Sequence, residues 1–138
     1  MAIKNMSTKQ QGRVILFYWL PVFIWCVCIY SLSSVPNLRS DFPGNLDLIL
    51  RKICHVGEYA ILTYFFYRAA AQSMGRRRAL GYAALFTFTF AFTDEYHQSF
   101  VVGRNGNLVD VTVDSLGVFL SVFLIDKRYL DASMKKAK

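Results

Sequence analysis

Cysteine is too scarce in this chain to build a framework: there are three in 138 residues. Cys26 and Cys28 stand two apart in an apolar run, about 200° around a helix axis, so they point to nearly opposite faces and make neither a disulfide nor a metal pair. Cys54 stands alone, in the manner of a small packing residue. Histidine occurs only twice, and no ligand spacing such as His-Glu-x-x-His is present, so no metal site is expected. Charge is thin as well. Only 18% of residues are charged, against 54% hydrophobic and 16% aromatic, too apolar a balance for an ordinary soluble domain of this length. No internal repeat, low-complexity tract or second domain is visible.

What the chain does have is apolar sequence, in four stretches at about 14–32, 53–74, 79–100 and 108–125. The first runs from Val14 to Leu32 with no charge between Arg13 and Arg39, enough to cross a core of roughly 30 Å as about 20 helical residues. Its basic start and its small residues Ser31 and Ser33 resemble a cleaved signal. The apolar run exceeds the usual signal length, however, so a retained span is expected. The other three reach spanning length only when their polar ends are counted. Ser33 to Asn45 reads as a loop turned at Ser34 or Asn37. Leu46 to Leu50 reads as a separate interfacial turn with Asp47 near its N-terminus. Ser73 to Arg78, with Gly75, and the run Gly103, Asn105, Gly106 and Asn107 are short turns that force neighbouring helices to run antiparallel. The expected fold is therefore all-α: one integral membrane domain over 1–138, a four-helix bundle.

Orientation follows from Lys and Arg. Lys4, Lys9, Arg13, Arg68, Arg76, Arg77, Arg78, Lys127, Arg128, Lys135, Lys136 and Lys138, twelve of the sixteen basic residues, fall on one side. Arg39, Arg51, Lys52 and Arg104 fall on the other, together with seven of the nine acids. The positive-inside rule then puts both termini in the cytoplasm of a cell with an inner membrane. The net charge of +7 is a topology signal that calls for no nucleic acid, and its inner clusters favour anionic lipid headgroups.

The polar residues of the last three stretches gather at one end. Lys52, His55 and Glu58 open the second; Asp94, Glu95, His97 and Gln98 close the third; Asp110 and Asp114 open the fourth. An up-down path brings all of them beneath the outer surface, and ionisable groups inside a span mark a functional site by default. His55, Glu58 and Tyr59 share a helix face at i, i+3 and i+4, as do Asp94 and Gln98, with Glu95 three residues from Gln98. Asp110 and Asp114 continue as a stripe through Gly117 and Ser121, small residues that allow close helix approach. At about 1.5 Å per residue, Asp94 stands about 22 Å above Ala79 and Asp114 about 16 Å above Ile125. Carboxylates at such depth must face the interior, pair, bind a cation or stay protonated.

The tract Lys52-Ile53-Cys54-His55-Val56-Gly57-Glu58-Tyr59-Ala60-Ile61-Leu62 resembles the VanZ-like family of bacterial membrane proteins. So does the tract from Thr93 to Arg104 carrying Asp94-Glu95-Tyr96-His97-Gln98, followed by Asp110, Asp114 and Gly117, and so do Tyr30, Ser33, Ser34 and Pro36. Where many members carry Asn at the second polar position of the last helix, this chain has Asp114. The resemblance implies four membrane helices and a namesake associated with resistance to the glycopeptide teicoplanin; it supplies no catalytic residue.

Three functions fit these residues, beside the plainer reading that they knit helix ends together. Five acids, two imidazoles, a Gln and an Arg exceed what clamping so small a bundle requires. The first is a site for the headgroup of a membrane lipid or lipid-linked cell-wall precursor, with Arg104 and Lys52 on phosphate, a rim of Tyr59, Tyr96 and Phe100, and His97, Gln98, Asp110 and Asp114 contributing contacts. The second is a membrane-embedded hydrolase or transferase, with His55 or His97 as base beside Glu58 or Glu95 and Asp94 in the same catalytic set, or Mg²⁺ or Mn²⁺ held by Asp94, Glu95, Asp110 and Asp114. Proton-coupled transport is the third, and four short helices without an inverted repeat argue against it. The sequence names no cofactor and sets no oligomeric state; of these readings we take the first as the expectation.

Overall fold

The computed structural model describes residues 7–36, 46–104 and 106–136. The expected turn at Asn37, the loop charges Arg39 and Asp41, the terminal lysines Lys4 and Lys138, and Asn105 lie outside them. Among the described residues the chain is all-helical, with four helical rods and no strand. These are α1 (Thr8–Ser33), α2 (Leu46–Ala70), α3 (Arg76–Gln98) and α4 (Leu108–Lys136).

Each rod departs from the sequence expectation for a local reason. α1 starts earlier because Ser7 and Gln10 form a reciprocal capping box. Within it, Ile15–Trp19 widens to a π-helical turn. Pro21 supplies the cause: it has no N–H, and its ring would press on the carbonyl four residues back, at Phe17. The extra residue relieves that clash while Leu20 N–H donates five residues back to the Ile15 carbonyl. α2 takes in 46–50, expected as a separate turn, and Asp47 in its first turn pairs with Arg51 at 2.8 Å. It ends at Ala70, four residues short of expectation. α4 runs about 43 Å at 1.5 Å per residue, eleven residues past Ile125. Asp126 in that extension takes an ion pair from Arg76 at the start of α3, and the same guanidinium lies 4.1 Å over the Tyr129 ring.

The buried side chains mix an apolar cluster of Val22, Ile29, Tyr59 and Leu62 with small and polar ones: Ala69, Ala79, Ala83, Ala91, Thr63, Thr87, Ser115 and Ser121 are buried. Other large apolar ones face outward, among them Phe23, Leu85, Phe88, Phe92, Phe119 and Phe123. The widest interface joins α2 to α4, and Gly117 makes it possible. A Cβ there would collide with the Val56 carbonyl oxygen and sit 3.0 Å from Ala60 N. α1 closes the bundle through an aromatic seam, Trp19 edge-on to Phe66 at 5.5 Å and Phe66 stacked on Phe86 at 4.4 Å. Trp25 Nε1 donates to the Glu58 carbonyl at 2.9 Å.

Of the described helices, one, α1, is long and apolar enough to cross a membrane by length and composition. Four such spans were expected. α2 falls short of that measure because Arg51, Lys52, Glu58 and Arg68 lie within it.

Candidate functional site

Antiparallel packing brings the C-terminal ends of α1 and α3 together with the N-terminal ends of α2 and α4. Asp94 ties three of the four rods there. Its Oδ2 accepts from Ser33 Oγ of α1 at 2.7 Å, from Tyr59 OH of α2 at 3.1 Å and from Gln98 Nε2, one turn along α3, at 2.9 Å. With Asp94 3% exposed and Tyr59 fully buried, these bonds are made away from solvent, where an orphaned partner is costly. Asp94 is thus a clamp, set behind the site rather than in its wall.

The loop after α3 adds a second layer. Gly103 takes φ of 79°, a left-handed conformation that glycine adopts without steric cost, and this turn carries Arg104 back over the helix ends. Its Nη1 donates to Gln98 Oε1 at 3.1 Å, its Nη2 to the Leu32 carbonyl at 3.0 Å and its Nε to the Val35 carbonyl at 3.3 Å. Gly106 presses against the Glu95 carbonyl, where a Cβ would not fit. Asn107 N–H donates to Glu95 Oε2 at 2.9 Å, and Asn107 Oδ1 accepts from Val109 N–H at 3.0 Å as the cap of α4.

Between these layers lies a cavity of about 370 Å³. Its wall includes Leu32, Ser33, Leu48, Arg51, Lys52, Cys54, His55, Glu58, Glu95, Gln98, Arg104, Asp110, Val113 and Asp114. Lys52 Nζ and Asp110 Oδ1 meet at 2.7 Å, both side chains more than a third exposed, which marks them as the mouth. Deeper, His55 Nδ1 stands 3.6 Å from Glu58 Oε2 and 3.7 Å from Asp114 Oδ1. Asp114 is 1% exposed. Both of its carboxyl oxygens lack a hydrogen-bond partner, and so does His55 Nδ1. The floor of the cavity is therefore polar and unsatisfied.

A family model described as VanZ/LLP1 matches residues 2–128. The chain belongs to the VanZ/LLP1 family. No curated protein and no solved structure matches it.

In this VanZ/LLP1 protein the residues singled out in the sequence divide into three groups. Lys52, His55, Glu58, Glu95, Gln98, Arg104, Asp110 and Asp114 share the cavity wall. Asp94 and Tyr59 support it from behind. His97 stands apart, its Nε2 3.0 Å from Ser34 Oγ and its ring 4.5 Å from that of Tyr30. The aromatic rim expected from Tyr59, Tyr96 and Phe100 does not form: Tyr59 is buried, while Tyr96 and Phe100 pack edge to face on the outside of α3, 66% and 70% exposed. The alternative of a divalent ion on Asp94, Glu95, Asp110 and Asp114 finds no support either. Among the described residues no three His, Cys, Asp or Glu side chains are placed to hold a metal ion. The reason is that three of the four carboxylates are turned to different partners, Asp110 to Lys52, Glu95 to the Asn107 N–H and Asp94 to its three donors, which leaves Asp114 alone on the cavity floor.

Sequence reasoning passed over Ser33, Arg51 and Asn107 as site residues. Ser33 ends α1, whose charges Lys9 and Arg13 lie at the opposite end, so helix-by-helix polarity does not flag it. Its position beside Ser34 and Pro36 was the available signal.

Proposed function

We propose that this VanZ/LLP1 protein is a multi-pass protein of a bacterial inner membrane, both termini cytoplasmic. On this reading its cavity opens to the outer leaflet and binds the headgroup of a lipid or of a lipid-linked cell-envelope precursor, with consequences for glycopeptide susceptibility. The observation that carries the reading is a polar, partly unsatisfied cavity set within an otherwise apolar exterior. Large exposed apolar side chains stand on α3 and α4 as well as α1, among them Phe23, Leu85 and Phe119, more than a monomeric soluble protein usually exposes. A polar cavity in such a protein suits a molecule that is itself apolar at one end and polar at the other.

Charge decides which end of a lipid would enter. Lys52 is paired to Asp110 and Arg51 to Asp47, whereas Arg104 has no carboxylate within ion-pair distance among the described residues, its bonds going to neutral oxygens. Arg104 is thus the cation of the cavity lining without a direct ion pair among the described residues, and a phosphate is the anionic partner that a guanidinium suits best. The geometry carries less for a hydrolase or transferase, since His55 Nδ1 sits beyond hydrogen-bond length from both Glu58 and Asp114.

Arg104→Ala is expected to lower retention of co-purifying phospholipid by about tenfold or more, the scale of losing a charge-assisted contact. Because Arg104 also holds the end of α1, Arg104→Lys serves as the control that keeps the charge, and it is expected to recover part of the retention. Native mass spectrometry of protein released from detergent reads both. Unchanged lipid retention and unchanged teicoplanin susceptibility in Arg104→Ala cells would remove the headgroup reading.

A further inference from the structure

The two ends of the cavity ask for opposite chemistry. On one side stands the guanidinium of Arg104, which makes no direct ion pair among the described residues. At the floor Asp114 presents two carboxyl oxygens without a partner, and it is buried to 1% exposure. Among the described residues its one cationic partner within 4 Å is His55, whose Nδ1 is 3.7 Å away and itself unpartnered. Glu58 and Glu95 also line the cavity; of the cations in the same lining, Lys52 is paired to Asp110 and Arg51 to Asp47, so neither oxygen of Asp114 is supplied with a donor. Buried acceptors left unsatisfied are costly, and the cost is removed by a ligand that brings donors.

Size narrows the choice further. A cavity of about 370 Å³ is at the small end for ligand sites, which run roughly 300–1,000 Å³. It has room for a compact headgroup, and a saccharide carrying a peptide would have to stay outside.

We infer that the ligand is a phosphate bearing a primary amine a few bonds away, the phosphate on Arg104 and the ammonium donating to Asp114. This rests on the headgroup reading above and adds to it the zwitterionic character of the headgroup. A phosphate diester with only hydroxyls would satisfy Arg104 equally well and would leave the acidic floor without a cation. A quaternary ammonium carries the charge and has no N–H to give.

The test uses the full-length protein in nanodiscs or detergent, offered equal amounts of phosphatidylethanolamine, phosphatidylcholine and phosphatidylglycerol and read by native mass spectrometry. The expected result is preferential retention of the primary-amine lipid by about tenfold or more over the other two, the lower end of what a hydrogen bond to a charged group contributes. In Asp114→Asn, which keeps the side-chain volume, that preference is expected to fall to parity, with helical circular dichroism and gel-filtration behaviour checked to show the fold intact. Equal retention of all three lipids by the native protein overturns the zwitterion inference and leaves the headgroup reading standing. Retention of none overturns both. A parallel titration with free phosphoethanolamine separates the sources: binding of the free compound as tight as that of the lipid would identify a soluble ligand, and weaker binding a membrane one. A preference that survives Asp114→Asn would show that Asp114 is not the amine's partner, and the assignment would fail.

Discussion

Asp94→Ala is expected to destabilise the bundle by on the order of 4 kcal/mol, because it strips one shared acceptor from three buried donors, each worth about 1–3 kcal/mol when orphaned. Ser33, Tyr59 and Gln98 come from three different helices and meet on the same carboxyl oxygen. Loss of that atom therefore loosens the tertiary arrangement, not one helix. Asp94→Asn keeps an acceptor oxygen and nearly the same volume, and its loss should be clearly smaller. Unfolding in mild detergent titrated with a denaturing one, followed by tryptophan fluorescence, measures both. Trp25 is a suitable reporter, since its indole is bonded to the Glu58 carbonyl next to this cluster. An Asp94→Ala protein within about 1 kcal/mol of the parent, less than one orphaned hydrogen bond, would show that the clamp is not what joins these ends.

Gly117→Ala is the second large effect. A methyl group at this position meets backbone on α2: the Val56 carbonyl oxygen, Ala60 N at 3.0 Å and the Val56 carbonyl carbon at 3.1 Å. Backbone in a helix cannot rotate aside as a side chain can, so α2 and α4 must separate. Overpacking of this kind costs typically 1–3 kcal/mol, and the upper end is expected because the widest interface of the fold is the one forced apart. Separation would also draw His55 away from Asp114, so lipid retention should fall together with stability. Gly57→Ala on α2 is the matched control. Nothing lies within 4 Å of a Cβ at Gly57, and alanine favours the helix, so stability should hold or rise slightly. If the two alanine variants unfold alike, close approach at Gly117 is not what sets the distance between these helices.

The helical order and the gathering of polar residues at one end were legible because both follow from periodicity and chain path. Antiparallel neighbours joined by short turns leave Lys52, His55, Asp94 and Asp114 nowhere else to go. Spacing also announced the role of Gly117, through the small-residue stripe below Asp110 and Asp114. What could not be read was which polar residue faces which. His97 and Gln98 are adjacent in sequence, and one step of about 100° around the helix sends Gln98 to Asp94 and His97 to Ser34. Asp94 looked like an acid–base candidate from the same reasoning that found Glu58, yet its partners make it a clamp, and those partners come from sequence positions up to 61 residues away. Apolar content alone does not mark the helix ends. The last helix continues past Ile125 because Arg76 and Tyr129 hold its polar extension in place. The π-helical turn before Pro21 was legible in principle, from a proline inside an otherwise unbroken apolar helix.

The central claim is that the polar cavity faces outward from a multi-pass bundle whose opposite end, with the basic turn and the extension of α4, lies in the cytoplasm. Single-cysteine labelling in intact cells tests it most directly. With Cys26, Cys28 and Cys54 replaced by serine or alanine, one reporter is placed at Val102, exposed in the loop beside Arg104, and another at Lys127, exposed on the α4 extension. A membrane-impermeant maleimide is expected to modify Val102→Cys in whole cells and Lys127→Cys only after lysis. The reverse pattern, or equal labelling of both in intact cells, would contradict the account.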